Sequence, residues 1–283
     1  MFGFLNIYKP KGKTSHDIVA VLRRITKIKQ IGHTGTLDPF AEGVLPICIG
    51  KATRLIEYLD DDKAYLGTIQ LGQATTTFDT EGEIVKSSTK KVSLEEINNI
   101  LPKFKGDIEQ IPPIYSAIKV KGKKLYEYAR SGIDVEIEPR KVNISVLEII
   151  DFNYEKQTLE ILVECSKGTY IRSIANDIGN ALGSYGHLIK LVRNKAGMFL
   201  LENTINIDSL ENVNDVKAKL LQPLDYLKFP RYELNNDEKN KVSHGMPILI
   251  EQKDGLISLT FQNEIIAIAS ITDNKAKVLK VFI

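Results

Sequence analysis

Cysteine is nearly absent from this chain: of 283 residues only Cys48 and Cys165 are cysteines, each inside an apolar run and far from the other in sequence. With no CxxC pair and no cluster of histidines beside either, neither a disulfide framework nor a zinc site is expected. Long apolar runs are missing too, since none approaches the roughly 18 residues of a membrane span. The opening MFGFLNIYKPKGKTS reaches a lysine at position 9, too soon for a secretory apolar region. A cytoplasmic protein with no membrane partner is the expectation. Charge of one sign is also lacking: 38 Lys+Arg against 36 Asp+Glu leave a net charge of only +2. Overall charge therefore does not demand a nucleic-acid partner. No internal repeat or low-complexity tract is present.

The composition that remains is globular. Hydrophobic residues at 43% and charged residues at 26% sit near the average for folded domains, which argues against a disordered or collagen-like chain. The length allows one large domain, or a large one plus a small one. Charge is distributed unevenly, with 28 basic and 24 acidic residues in 1–200 and 10 and 12 in 201–283. Within the larger part, KVKGKKLYEYAR (Lys119 to Arg130) carries five basic groups and one acid, interleaved with Tyr126 and Tyr128. A segment gripping a phosphate backbone has this make-up, and so has a solvated basic helix face.

Hydrophobic periodicity sketches the elements. FGFLNIY reads as a strand running into a Lys-Pro-Lys-Gly turn, after which Ser15 is placed to cap a helix with Ile18, Val19, Leu22 and Ile25 on one face. Residues 31 to 50 look like an ordered, partly buried loop leading into a strand from Val44 to Ile49. A helix is predicted from Ala52 to Leu59, a strand from Lys63 to Leu71, then a polar turn TTTFDTEG. Residues 93 to 101 read as a short helix opened by Ser93. GDIEQIPPIYSAIKVKGKKLYEYARSG is a long basic excursion, about 106–140, expected to be mobile. Strands are predicted from Lys141 to Ile150 and from Thr158 to Cys165, then a helix with Ile171, Ile174, Ile178 and Leu182 on its core face. From 230 onward, short alternating runs (MPILI, LISLTF, IIAIASI, KVLKVFI) have the composition of a small β domain.

Few residues suggest chemistry on their own. Asp38 precedes Pro39, which pushes the aspartate backbone into an extended shape and holds its carboxylate on a stiff loop. Gly32 and Gly35 allow close approach of a ligand, and His33 can donate to a phosphate or a carbonyl. Taken alone, these residues fit a structural Asx-turn and a satisfied histidine better than a site. GVLPICIGKA is no phosphate loop, because six residues rather than four separate its glycines and Ala52 follows Lys51. Tyr170 and Arg172 open a helix whose other face is core, so both can project into a cleft. An arginine beside an aspartate would keep it ionised, as a nucleophile requires. For an isolated Tyr-Ile-Arg the commoner outcome is that Tyr170 packs and Arg172 caps the helix or pairs on the surface. Tyr65, at a strand start, offers a ring for base stacking or a core tyrosine.

Together and in order, however, KPKGKTS (Lys9 to Ser15), GHTGTLDPFAEGVLP with GKATR, KAYLGTIQLG, PPIYSAIKVKGKKLYEYARSG, SKGTYIRSIANDIG and LIKLVRNKAGMF resemble one family, the TruB-type tRNA pseudouridine synthases. The match covers nearly residues 1 to 200. The resemblance implies an α+β fold with a central mixed, mostly antiparallel sheet flanked by helices. It implies a catalytic domain over 1–229 with a basic thumb-like insertion about 106–140, and a PUA-like RNA-binding domain over 230–283. It implies isomerisation of the T-loop uridine at tRNA position 55, by base flipping, with Asp38 as catalytic aspartate and no metal or organic cofactor. On that reading Tyr170 is the candidate base for the C5 proton, Arg172 holds Asp38 ionised and aimed, and Tyr65 stacks on the uracil. His33 would hold the flipped backbone, and Lys9, Lys119 and Arg193 would contact phosphates. The partner is the T arm of tRNA, and a monomer with no obligate protein partner is expected. Two other classes compete: an RNA-folding factor, and a glycosidic hydrolase needing a second carboxylate, for which Glu42 is the nearest and a weak candidate.

Overall fold

The structure, a computed structural model, describes residues 1–283. The apolar opening forms strand β1 (Gly3–Lys9), and helix α1 (Ser15–Thr26) follows. Thr14, rather than Ser15, caps that helix. Its hydroxyl accepts from the Asp17 amide, and the Asp17 carboxylate accepts from the Thr14 amide. The reciprocal box needs a polar partner three residues on, which Thr14 finds in Asp17 and Ser15 does not find in Ile18. The glycine-rich segment is bracketed by β2 (Ile31–His33) and β3 (Glu42–Ile49). In place of a helix from Ala52 to Leu59, a run of 3-10 turns spans Gly50–Tyr58.

Strand β4 (Lys63–Leu71) falls where predicted, and the polar turn after it lies between β5 (Gln73–Thr75) and β6 (Ile84–Ser87), a small hairpin. Ser93 caps α2 (Leu94–Ile100) in a box with Glu96. Strand β7 (Gly106–Gln110) leads into the basic excursion, whose tip folds as a two-residue ladder, β8 (Lys119–Val120) with β9 (Lys123–Lys124), and the short helix α3 (Leu125–Arg130). The chain returns through β10 (Arg140–Asn153), β11 (Thr158–Cys165), α4 (Ile171–Ala181) and β12 (Gly186–Ala196). It then adds β13 (Phe199–Leu200), β14 (Ile205–Asn206) and α5 (Val213–Ala218).

These strands make one sheet in the order β14-β1-β3-β12-β4-β11-β10-β7, with β2 paired to β3 and β13 to β12. Only β1–β14 and β3–β12 are parallel, so the sheet is mixed and mostly antiparallel. Strand β12 was unforeseen as a strand, yet it occupies the middle. It joins β3, which carries the end of the Asp38 loop, to β4, which carries Tyr65. Helix α4 packs on this sheet through Ile171, Ile174 and Ile178, whereas α1 buries Ile18, Val19 and Leu22 in a separate cluster with β1 and β3. At Gly179 the helix comes so close that a Cβ would stand 2.1 Å from the Gly186 amide nitrogen. Glycine at that point is what lets α4, and with it Arg172, sit down on β12.

A second sheet, built from β15 (Arg231–Glu233), β16 (Ile248–Leu249), β17 (Gly255–Phe261), β18 (Glu264–Thr272) and β19 (Lys275–Val281), runs β15-β17-β18-β19-β16. One helix accompanies it, α6 (Asn236–Ser243), opened by a capping box between Asn235 and Glu238. This sheet has its own apolar cluster, including Leu234, Val242, Ile257 and Leu259. Ile265, Ile268 and Phe282 also pack into a cluster with Phe4, Val44 and Leu55 of the first sheet and its 3-10 turns. The two sheets therefore share buried surface.

Candidate active site

A cavity of about 490 Å³, in the roughly 300–1,000 Å³ range of small-ligand sites, opens between the 34–38 loop, the base of the basic excursion and the start of α4. Tyr170 occupies the position before the first helical residue without offering a side-chain cap. Its backbone is instead held at both ends by the buried side chain of Gln110. The Tyr170 amide donates to Gln110 Oε1 at 2.8 Å, and Gln110 Nε2 donates to the Tyr170 carbonyl at 3.1 Å. Ser173 ties the same turn to the Ile111 carbonyl at 2.9 Å. The root of the excursion and the first turn of α4 thus form one unit.

Arg172, projecting from that turn, is buried and organises the site. Its Nε lies 2.9 Å from Asp38 Oδ2 and its Nη1 lies 3.4 Å from Asp79 Oδ2. Nη1 also donates to the Thr77 carbonyl and Nη2 to the Tyr115 carbonyl, both at 3.1 Å. One guanidinium is shared by two carboxylates of different character. Asp79 has a side chain only 2% exposed, with Oδ1 accepting from the Glu81 amide at 2.9 Å and from the Thr77 hydroxyl; Asp38 is 33% exposed, toward the cavity. Burial raises the Asp38 carboxyl above the usual carboxylate range; Arg172 pulls it back, and the Asp79 charge adds to the rise. The Tyr170 hydroxyl, which also faces the cavity, is pushed above its ordinary range by burial, with Ser116 opposing and Asp38 adding to the effect. It is a neutral phenol at physiological pH.

Of the residues singled out in the sequence, Asp38, Tyr65, Tyr170 and Arg172 converge on this cavity. Tyr65 is 7% exposed, and burial raises its hydroxyl, with Arg193 opposing. Lys119 is exposed in the ladder at the excursion's tip. Two phosphate contacts are corrected. Lys9 and Arg193 are both 0% exposed and donate to backbone carbonyls, so neither can reach a phosphate. Lys9 Nζ donates to the carbonyls of Lys13 at 2.6 Å, Pro10 at 3.0 Å and Pro39 at 3.4 Å, and burial lowers its pKa to about 8. Their neighbours are apolar strands and the sheet interior, which a count of basic residues does not register. His33 does not line the cavity. It lies half-buried in β2 with Nδ1 unpartnered, and burial, then the Arg193 charge, lowers its pKa. Glu42 does not line the cavity, and its carboxylate accepts from the Tyr8 hydroxyl at 2.8 Å.

Asp79 and Gln110 are the functional positions that the sequence reading missed. Asp79 lay in a polar turn and looked like an ordinary turn former. The available signal is electrostatic: an arginine buried at the start of α4 calls for compensating charge, and TTTFDTEG supplies an acid beside that of Asp38. No three metal-ligating side chains converge anywhere in the chain. The residues of the cavity are suited to covalent attack by Asp38, with a cation behind it and a phenol across from it.

Comparison with known proteins places the chain in a family. A family model described as TruB family pseudouridylate synthase (N terminal domain) matches residues 23–171. A protein named tRNA pseudouridine synthase B from Caldanaerobacter subterraneus subsp. tengcongensis is 48% identical over 246 residues, 86% of this chain and 85% of that one. One of the same name from Geobacillus thermodenitrificans is 43% identical over 274 residues, 92% and 91% of the two chains. Among solved structures, a Cbf5-Nop10-Gar1 complex superposes with a TM-score of 0.72 at 25% identity, over 100% of this chain and 85% of that one. An H/ACA RNP bound to a substrate RNA containing 2'-deoxyuridine has the same fold, with a TM-score of 0.72 at 23% identity.

Proposed function

The chain belongs to the TruB family of pseudouridylate synthases, and we propose that it converts the T-loop uridine at tRNA position 55 to pseudouridine with Asp38 as nucleophile. The observation that carries the proposal is the Asp38 carboxylate, lining the cavity and paired with Arg172 at 2.9 Å. Pseudouridine formation breaks the C1′–N1 bond and makes a C1′–C5 bond, so the base must be detached, turned and reattached without escaping. A single carboxylate suffices for either route. Attack at C1′ displaces uracil and leaves a glycosyl ester that C5 then opens; attack at C6 ties the ring to the protein while it turns. In both routes C5 loses a proton and N1 ends protonated.

Tyr170 is placed to handle the C5 proton. Because its hydroxyl is neutral, it acts as a relay, its oxygen accepting the C5 proton as its own proton passes to solvent, which in turn supplies the proton that N1 gains. Tyr170→Phe is expected to cut the single-turnover rate by about 10²- to 10⁴-fold, the usual range for a proton-transfer group, with tRNA affinity unchanged. A phenylalanine enzyme at full rate would take the hydroxyl out of the reaction. Tyr65 forms the wall on which the uracil ring stacks. No metal or organic cofactor takes part.

Extruding a loop uridine costs roughly a few kcal/mol, which phosphate contacts must offset. Lys119, Lys121, Lys123 and Arg130 are exposed on the thumb-like excursion and are assigned that role. Deleting residues 117–133 is expected to weaken tRNA binding and flatten its salt dependence, by about one unit of slope per lost phosphate contact. A slope equal to wild type in a salt titration would make the excursion a spectator. Residues 230–283 are assigned as a PUA-like RNA-binding unit and residues 1–229 as the catalytic domain of a monomer acting without a protein partner. The test of the whole reading is an unmodified tRNA transcript incubated with purified protein and probed by pseudouridine-specific chemical labelling. Label at one T-loop uridine is expected. Free uracil in place of label would mean glycosidic hydrolysis, and neither product would mean an RNA-binding protein without this chemistry.

A further inference from the structure

Arg193 is the largest fully buried side chain in the molecule, and nothing in the reaction so far uses it. It sits on β12 opposite Gly43 of β3 on one side and Tyr65 of β4 on the other, and Gly43 in turn faces Lys9 of β1. A row across the sheet thus reads Lys9, Gly43, Arg193, Tyr65. Gly43 has to be glycine there, at φ +109°, because a Cβ would stand 2.4 Å from the Arg193 carbonyl oxygen. The Arg193 guanidinium forms no ion pair. Its charge is met by carbonyl dipoles and by the neighbouring Tyr65 hydroxyl: Nε donates to the Val44 carbonyl at 2.7 Å, Nη1 to that of Thr36 at 3.3 Å and Nη2 to that of Gly35 at 3.2 Å. Burial lowers the pKa of both His33 and Lys63, and the Arg193 charge adds to that lowering.

A buried cation without a carboxylate is a costly way to fill space, and an apolar side chain of similar size would fill it with less loss. What only a guanidinium supplies is a planar fork of donors that can hold several carbonyls in a fixed relation. Here those carbonyls belong to the strand after Asp38 and to the loop before it. The remaining grips complete a pattern. Ser15 Oγ accepts from the Leu37 amide at 2.9 Å and donates to the Leu37 carbonyl at 3.1 Å, and Lys9 holds the Pro39 carbonyl at 3.4 Å. Every backbone carbonyl from Gly35 to Pro39 except that of Asp38 itself is clamped by a side chain, and the Asp38 carbonyl accepts from the Ala41 amide.

We infer that Arg193 is a positioning residue for the isomerisation, fixing the backbone on both sides of Asp38 so that the carboxylate is held at its attack distance before RNA arrives. The inference rests on the assignment of Asp38 as nucleophile. It assigns Arg193 no contact with substrate, so its loss should appear in the chemical step and not in binding. A displacement of about 1 Å at a reacting group costs on the order of 10²-fold in rate.

The test compares Arg193→Lys, Arg193→Met and Asp38→Asn in the full chain with an unmodified tRNA transcript. Single-turnover rate at saturating protein, tRNA Kd by filter binding, and amide hydrogen exchange are measured for each. Arg193→Met is expected to lose about 10²-fold in rate and Arg193→Lys about tenfold, each with Kd within about twofold of wild type. Exchange should quicken in residues 34–41 while β10 and β11 stay protected. A wild-type rate in either Arg193 variant overturns the inference, as does a loss shared equally between rate and Kd. Exchange rising across the whole sheet, or failure of both variants to fold, would make Arg193 a determinant of the fold alone and overturn it too. An active Asp38→Asn protein would instead remove the nucleophile assignment, whereas a dead Asp38→Asn beside unimpaired Arg193 variants sinks only the positioning role.

Discussion

Asp38→Asn is expected to lower pseudouridine formation by more than about 10⁴-fold while tRNA binds as before, because the group removed makes and breaks a bond and grips nothing in the RNA. At about 1.4 kcal/mol per decade, that is at least about 5.5 kcal/mol of transition-state stabilisation. The same substitution should leave the fold at least as stable as wild type, which separates it from ordinary damage to a buried residue. The burial that raises the Asp38 carboxyl favours its neutral form in the folded state. A carboxyl whose folded pKa lies above its unfolded value binds more protons when folded, so stability is lost as pH rises from the unfolded toward the folded pKa. Above that raised pKa the ionised Asp38 therefore weighs against folding, and a neutral amide does not. Arg172 is not stranded by the change, since Asp79 and the Thr77 and Tyr115 carbonyls remain on it. Thermal unfolding at pH 7 and single-turnover labelling on the same preparation check both halves. A melting temperature well below wild type would mean that the lost activity reports misfolding. Turnover within tenfold of wild type would remove Asp38 from the chemistry.

Legibility in the sequence followed the range of the interaction. Strands β4 and β11 fall on the predicted residues, because alternation in KAYLGTIQL and TLEILVEC is a local signal that the sheet does not need to correct. The Ser93 cap was visible for the same reason: its partner Glu96 is three residues away. Strand β12 was not visible, because HLIKLVRNKA pairs its apolar residues, Leu188-Ile189 and Leu191-Val192, between basic ones and so lacks the period of two that marks a strand. Its basic members split: Lys190 is exposed, whereas Arg193 is buried by β3 and β4 on either side. Where an ordered set of motifs carried the reading, at Asp38, Tyr65, Tyr170 and Arg172, the structure brings the residues together on one cavity. The site was read incorrectly at Lys9 and Arg193, where charge was taken as a sign of exposure. Asp79 escaped because its partner is distant in sequence and only folding brings Arg172 to it. Position in the chain says that a basic residue is near the site; whether it serves the ligand or the loop depends on what covers it.

Arg172→Met is expected to do more harm than loss of a single hydrogen bond donor, because it leaves two carboxylates, Asp38 and the buried Asp79, without the cation they share. Removing one partner of a buried ion pair typically costs about 3 to 5 kcal/mol, and removing one charge-stabilising donor costs about 10² to 10³ in rate. Both effects should depend on pH in a direction set by the sign of the missing charge. In wild type the Arg172 charge pulls the Asp38 carboxyl down, against burial and against Asp79. Without it the Asp38 carboxyl rises further, so the variant is more stable at pH 5 than at pH 8, with stability lost as pH climbs through the raised pKa. Its residual activity should run the other way, growing with pH as Asp38 regains its charge, so the acid limb of the rate profile moves up. The double variant Arg172→Met with Asp79→Asn should recover much of the lost stability, because it relieves the repulsion, without recovering the rate, because the cation behind Asp38 is still absent. Additive stability losses in that pair would show that the two side chains are not coupled. An unmoved acid limb in the single variant would show that Arg172 holds the fold and has no hold on the charge of Asp38.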